Sequence, residues 1–156
     1  MNKDDYEIKV YAEVNADKAD YPDLPDELSY LKELYTPAQL TSTILTQAYM
    51  VRDGDVSERL RRVRHFAYFT SKKAAHRLAK FVHQQGYIET LAMPVKNKRW
   101  RVDFCSGTLP NIAHWVGVVR KIVIDAGGEY DGWESPVMRK DDPDDVNIAK
   151  NFHGAA

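Results

Sequence analysis

Apolar and polar residues alternate with a period of two over Arg99–Cys105. Trp100, Val102 and Phe104 fall on one face, and Arg99, Arg101 and Asp103 on the other. That is the pattern of a half-buried strand. Two longer stretches carry the helical period instead. After Ser71, which can cap, Ala74, Ala75, Leu78, Phe81 and Val82 recur at helical spacing, and Gly86 is placed to end the run. Beyond Pro110, the residues Ile112, Trp115, Val116, Val119, Val123 and Ala126 share a face up to Gly127-Gly128. This stretch is rich in β-branched residues, but its length decides for helix over strand. Shorter segments complete the series. Arg64–Thr70 is aromatic-rich and reads as a strand, as do Tyr87–Met93 and Glu129–Glu134, with Pro94–Lys98 as a turn. Ser106-Gly107-Thr108 is expected to break the third strand and cap the long helix.

The predicted order from Arg64 to Glu134 is β-α-β-β-α-β, the split βαβ pattern of a ferredoxin-like α+β sandwich. Two helices would cover one face of the sheet and leave the other open, with the arginine-bearing pleats turned outward. Arg64, Phe66 and Tyr68 join that open face if the first strand has the matching phase. Upstream, residues 5–14 suggest a strand and Asn15–Pro25 a loop. Two short helices follow, one opening at Pro25-Asp26-Glu27 and one at Thr36-Pro37, the second running through Gln39, Thr43 and Gln47 towards Met50. Arg52-Asp53-Gly54-Asp55 is a turn and a natural boundary. The chain therefore divides into an acidic extension (1–55), a core domain (56–137) and a mobile acidic tail (138–156) containing Asp141-Asp142-Pro143-Asp144-Asp145.

Charge adds a feature that periodicity does not show. The formal net charge is −1, but residues 1–55 hold 5 Lys/Arg against 12 Asp/Glu, residues 56–125 hold 14 against 4, and residues 126–156 hold 3 against 7. A basic middle is flanked by acidic ends. Either the ends lie against the middle and neutralise it, or the middle faces an anionic partner such as RNA or an acidic protein surface. The extension, docked on the core, is a candidate cover for the open sheet face and a mask for basic surface. The helix after Ser71 carries Lys72, Lys73, His76, Arg77, Lys80 and His83 opposite its apolar stripe, the pattern of a solvated face.

Composition excludes several classes. At 44% apolar and 11% aromatic, the chain has material for a core and is not generally disordered. The longest apolar stretch, Trp115–Ala126, is broken by Arg120 and Lys121, so no membrane span is expected. The start, Met-Asn-Lys-Asp-Asp, lacks the apolar centre of a signal peptide. A single cysteine, Cys105, rules out an internal disulfide and fits a reducing cytoplasm; it reads as a small buried residue. The histidines lack metal-ligand spacing, and the glycines form no phosphate loop. No catalytic, metal or cofactor site is expected.

Three segments together resemble a known family: Val-Arg-His-Phe-Ala-Tyr-Phe at 63–69, Gln-Gly-Tyr at 85–87 and Gly-Gly-Glu-Tyr-Asp-Gly-Trp-Glu at 127–134. The family is the regulator of ribonuclease E activity B (RraB), and the resemblance spans about residues 60–137. It implies a ferredoxin-like fold and a non-enzymatic protein that binds an endoribonuclease and inhibits it. The expectation is thus a cytoplasmic protein-interaction module modulating ribonuclease E-type RNA decay, as a monomer or an edge-paired homodimer. Candidate partner-binding residues are Arg64, Tyr68, Arg99, Arg101, Tyr130, Asp131, Trp133 and Glu134. The alternative is single-stranded RNA stacked on the aromatics and arginines of the open face. For Tyr130–Glu134 a purely structural role, pinning the last strand, stands beside recognition.

Overall fold

The protein is described here by a computed structural model covering residues 20–56, 59–108 and 112–145. The strand expected at 5–14 lies outside them. A 3-10 helix (Asp26–Glu33) and helix α1 (Pro37–Arg52) come first. There follow β1 (Arg61–Phe69), α2 (Lys72–Gln84), β2 (Ile88–Val95), β3 (Arg99–Thr108), α3 (Ile112–Asp125) and β4 (Glu129–Glu134). Local chemistry accounts for the helix starts. Thr36 accepts from Gln39 N–H and Ser71 from Ala74 N–H, which satisfies amides that have no partner within their helices.

The strands form one sheet in the order β2-β3-β1-β4, with every neighbouring pair antiparallel. That is the order and polarity a split βαβ produces, so the chain is an α+β protein with the expected connectivity. Burial along β1 alternates without exception: Arg61, Val63, His65, Ala67 and Phe69 are buried, while Arg62, Arg64, Phe66 and Tyr68 are half-buried. The first set faces the helices. On β3, Val102 and Phe104 lie opposite Ala67 and His65 and share that side. Leu78 and Val82 of α2, and Val116, Val119 and Val123 of α3, close the core over them. The exposed side of α2 carries Lys72, Lys73, His76, Arg77, Lys80 and His83, as its periodicity predicts.

Three features differ from the sequence-based expectation. Ser106-Gly107-Thr108 continues β3 instead of breaking it, because β1 extends upstream to Arg61 and offers a full partner: Arg61 pairs with Thr108 and Val63 with Ser106. Strand β2 likewise runs on through Pro94 and Val95. Pro94 sits on the edge strand of the sheet, where its missing donor does least damage.

The third difference concerns the acidic extension. Residues 20–56 do not cover the open sheet face; they pack beside α3. The Tyr35 hydroxyl donates to the Ala113 carbonyl, Arg120 donates to Gln39 and to the Leu34 carbonyl, and Tyr30 bonds His114 Nδ1 at 2.9 Å. Gly117 permits the approach, since a Cβ there would stand 2.7 Å from the Tyr35 ring and 2.9 Å from Leu34 Cβ. Apolar complementarity, not charge, selects this location: Leu31, Tyr35, Leu40 and Met50 belong to the same buried cluster as the core strands. In the stretch expected to be a mobile tail, residues 138–145 are bonded to the body, with Val56 N–H donating to Met138 and Met138 N–H to Asp55. Residues 146–156 lie outside the description.

Candidate protein-binding face

The period of two puts Arg62, Arg64, Phe66 and Tyr68 of β1 on the face away from the helices. Register then decides their neighbours. Tyr68 lies opposite Arg101, Phe66 opposite Asp103 and Arg64 opposite Cys105 on β3, and Arg64 lies opposite Glu134 on β4. On the far side of β3, Leu91, Met93 and Val95 lie opposite Asp103, Arg101 and Arg99. The expected outward arginines are therefore where the alternation places them.

The side chains interlock rather than standing singly. The Arg99 guanidinium lies 4.3 Å from the Tyr68 ring centre, and that of Arg101 lies 5.9 Å from Phe66. Arg101 Nη2 donates to Asp103 Oδ2 at 3.1 Å, while its Nε stands 2.9 Å from Oδ1 in ion-pair rather than hydrogen-bond alignment. Arg99 lies 3.6 Å from the Glu129 carboxylate. Leu91 is 54% exposed, so this polar lattice has an apolar border on the edge strand.

At the other end of β1, Glu89 acts as a hub. Its carboxylate accepts from Arg62 Nη1 at 2.5 Å, Arg64 Nη2 at 2.6 Å and the Cys105 thiol at 3.3 Å. The thiol bond and the two guanidinium charges hold this carboxyl below its usual range. Burial, reinforced by Glu89, pushes the Cys105 thiol up to about 12, so it stays protonated and donates. Cys105 is buried although it belongs to the open side, because the Glu89 lattice roofs it.

The residues singled out from sequence separate into two groups. Arg64, Tyr68, Arg99, Arg101 and Glu134 come together on the open face. Tyr130 and Trp133 lie opposite Ala67 and His65, on the helix side. Tyr130 is buried, and its hydroxyl bonds His65 Nδ1 at 2.8 Å. His65 Nε2 bonds Ser106 Oγ at 2.8 Å. This fully enclosed trio is a structural network, and burial drives the His65 imidazole down to about 3. Asp131 is exposed at a β-bulge: Phe66 pairs with Gly132 and Ala67 with Tyr130, leaving Asp131 between them, with Gly132 at φ +117°. Sequence reasoning missed Glu89, Leu91 and Met93. Tyr87–Met93 was legible as a strand, but its phase relative to β3 depends on an irregularity between Ile88 and Leu91 at which Glu89 adopts φ +53°.

No group of three or more His, Cys, Asp or Glu able to hold a metal lies among the described residues. No helix among them is long and apolar enough to cross a membrane. None of the curated proteins compared with the chain matches it. The profile of one family, Regulator of ribonuclease activity B, matches residues 41–135, from within α1 to the end of β4. That span is more than half of the sequence and takes in the whole sheet with the lattice it displays, and the chain belongs to the Regulator of ribonuclease activity B family.

Proposed function

We propose that this protein is a non-catalytic regulator that binds a ribonuclease of the ribonuclease E type, and that the open sheet face makes the contact. Membership of a family of ribonuclease regulators supports the first half. The observation that carries the second is the Arg99–Tyr68 stack, with Arg101 over Phe66 beside it. Arg and Tyr are the residue types that dominate protein interfaces, and here their rotamers are fixed before any partner arrives. The exposed Leu91 and half-buried Met93 give that patch an apolar margin, which suits a folded protein surface. The ionisable groups most strongly displaced by burial, His65 and Tyr130, are shut in on the other side of the sheet, where no substrate reaches them.

The test is direct binding of the full chain to a purified ribonuclease E-type enzyme, alongside cleavage of a single-stranded RNA substrate by that enzyme. The expected result is saturable binding with slower cleavage. Replacing Tyr68 and Arg99 together by alanine should weaken binding about tenfold to a hundredfold, the loss typical of central aromatic and arginine contacts. Equal binding by the double variant would move the contact elsewhere. Salt-dependent binding of the RNA itself, with no affinity for the enzyme, would replace this reading by the RNA one.

A further inference from the structure

A cavity of about 480 Å³ opens at the Arg62 end of the open face, lined among others by Arg61, Arg62, Arg64, Cys105 and Asp145. Strand β4 pairs with β1 only from Arg64 onward, so the start of β1 lies beyond the end of its neighbour. The chain's own carboxy-terminal stretch takes up that position. Leu60 N–H donates to Asp144 Oδ1 at 3.1 Å, and Asp145 N–H returns a bond to the Leu60 carbonyl at 3.0 Å. Arg62 grips the same segment, with Nε 2.6 Å from Asp145 Oδ2 and Nη2 3.5 Å from Oδ1. Arg59 Nη1 stands 3.8 Å from Asp144 Oδ1.

The receiving side is set independently of this segment. Glu89 holds Arg62 and Arg64 side by side, and it does so from a left-handed backbone conformation that a residue with a side chain adopts only at a cost. Strain of that kind persists where the surroundings over-determine it and concentrates at recognition sites. Arg61 forms the fixed floor: it is fully enclosed and paired with Asp55. The Arg62 and Asp145 side chains are 27% and 22% exposed, so their pair is accessible to exchange with an external carboxylate.

We propose that the position beside Leu60 and Arg62 at the start of β1, on the rim of this cavity, is a docking site for a short, extended acidic segment of a partner protein, and that Asp144-Asp145 occupies it as an internal competitor. The match is one of backbone and charge together. An incoming Asp-Asp pair can reproduce the two Leu60 backbone bonds and the Arg62 fork, which the chain's own residues already demonstrate. Glu89 and Glu134 flank the arginines, which disfavours a continuous polyanion and suits a brief acidic run delivered by a peptide. A site filled from within binds an outside ligand with an affinity reduced to its unoccupied fraction, so releasing the segment raises apparent affinity without new contacts. The site lies at the opposite end of β1 from the Arg99–Tyr68 stack, so this inference stands or falls separately from the function proposed above.

The experiment uses the full chain and a fluorescent peptide of sequence Asp-Asp-Pro-Asp-Asp, the chain's own residues 141–145, read by fluorescence anisotropy. Asp144→Asn with Asp145→Asn should bind the peptide about fivefold to tenfold more tightly than the wild type, and adding Arg62→Gln should remove the gain. Titrating the peptide into isotope-labelled wild type should move the Leu60 amide resonance, which needs no arginine variant to fold. Unchanged affinity in the Asp144/Asp145 variant, or a Leu60 amide that does not respond, overturns the proposal. Tighter binding of a single-stranded oligouridylate than of the peptide overturns it too.

Discussion

Acidification should destabilise this protein through one buried imidazole. His65 is 0% exposed, and its two nitrogens lie 2.8 Å from the hydroxyls of Tyr130 and Ser106. A neutral ring is satisfied there, one nitrogen donating and the other accepting. A charged ring would lose its hydration, which is why the value falls from 6.5 to about 3. The sign follows from proton counting. Between those two values the unfolded chain binds a proton that the folded chain refuses, so stability is fully present above pH 6.5 and declines as pH drops towards 3. Going from pH 7.5 to 5.0, the linkage amounts to roughly 2 kcal/mol from this residue alone. Urea unfolding followed by the fluorescence of the three tryptophans measures it. Other groups also titrate in this range, so the decisive comparison is with His65→Gln, which keeps polar partners for both hydroxyls but has no proton to bind. Its stability at pH 7.5 should be lower by about 1–3 kcal/mol, because the ring also packs 5.4 Å from Phe104. Its further loss on acidification should be smaller than the wild type's by roughly 2 kcal/mol. If both proteins lose the same amount, or if the His65 ring signals titrate near 6.5 by NMR, the argument from burial is refuted.

Other perturbations probe separate joints of the molecule. Gly117→Ala should lower stability by about 1–2 kcal/mol in thermal unfolding, because its methyl would press on Tyr35 and Leu34 by more than improved helix propensity recovers; a higher Tm would mean that the segment is not seated on α3. Arg61→Ala should cost about 3–5 kcal/mol in urea unfolding, since it leaves the Asp55 carboxylate, 3% exposed, without its cation; a loss below about 1 kcal/mol would show that the pair is not enclosed. Cys105 should react with iodoacetamide at pH 8 about a thousandfold more slowly than a free thiol, because its value near 12 leaves almost no thiolate. Fast labelling of the folded protein would contradict the hydrogen bond to Glu89.

Much of the fold was legible because its signals are local. Period-two alternation over Arg99–Cys105 and period-3.6 stripes over α2 and α3 need no knowledge of distant residues, and Thr36 and Ser71 mark their helix starts directly. The open-face arginines were legible for the same reason. What failed depends on partners far along the chain. Whether Ser106-Gly107-Thr108 ends a strand is decided by Arg61–Val63, some 45 residues upstream. Of the two readings left open for Tyr130–Glu134, the structural one, with Tyr130 buried and Trp133 half-buried, follows from the bulge at Asp131, which shifts phase against β1. The docking of residues 20–56 on α3 rests on Gly117, whose missing side chain carries no periodic signature.

The uneven charge of the chain can now be assigned to surfaces. Several arginines of the basic middle meet carboxylates from the stretch after residue 126: Arg64 with Glu134, Arg99 with Glu129, Arg62 with Asp145 and Arg59 with Asp144. Among the described residues, neutralisation on the open face thus comes from the carboxy-terminal side together with Glu89 and Asp103 of the sheet itself. From the amino-terminal side, Asp55 reaches Arg61 in the interior. The exposed lysines of α2, with Arg77, lie across the sheet, on the helix side. A formal surplus of basic residues therefore does not amount to a uniform basic patch where the aromatics are displayed. A long polyanion gains most from a continuous run of cations that shed counterions on contact. The open face offers alternating cations and carboxylates with aromatic rings between them, a pattern that rewards a partner with its own matching alternation. A folded protein surface can present such an alternation, and a wrong register would bring like charges together.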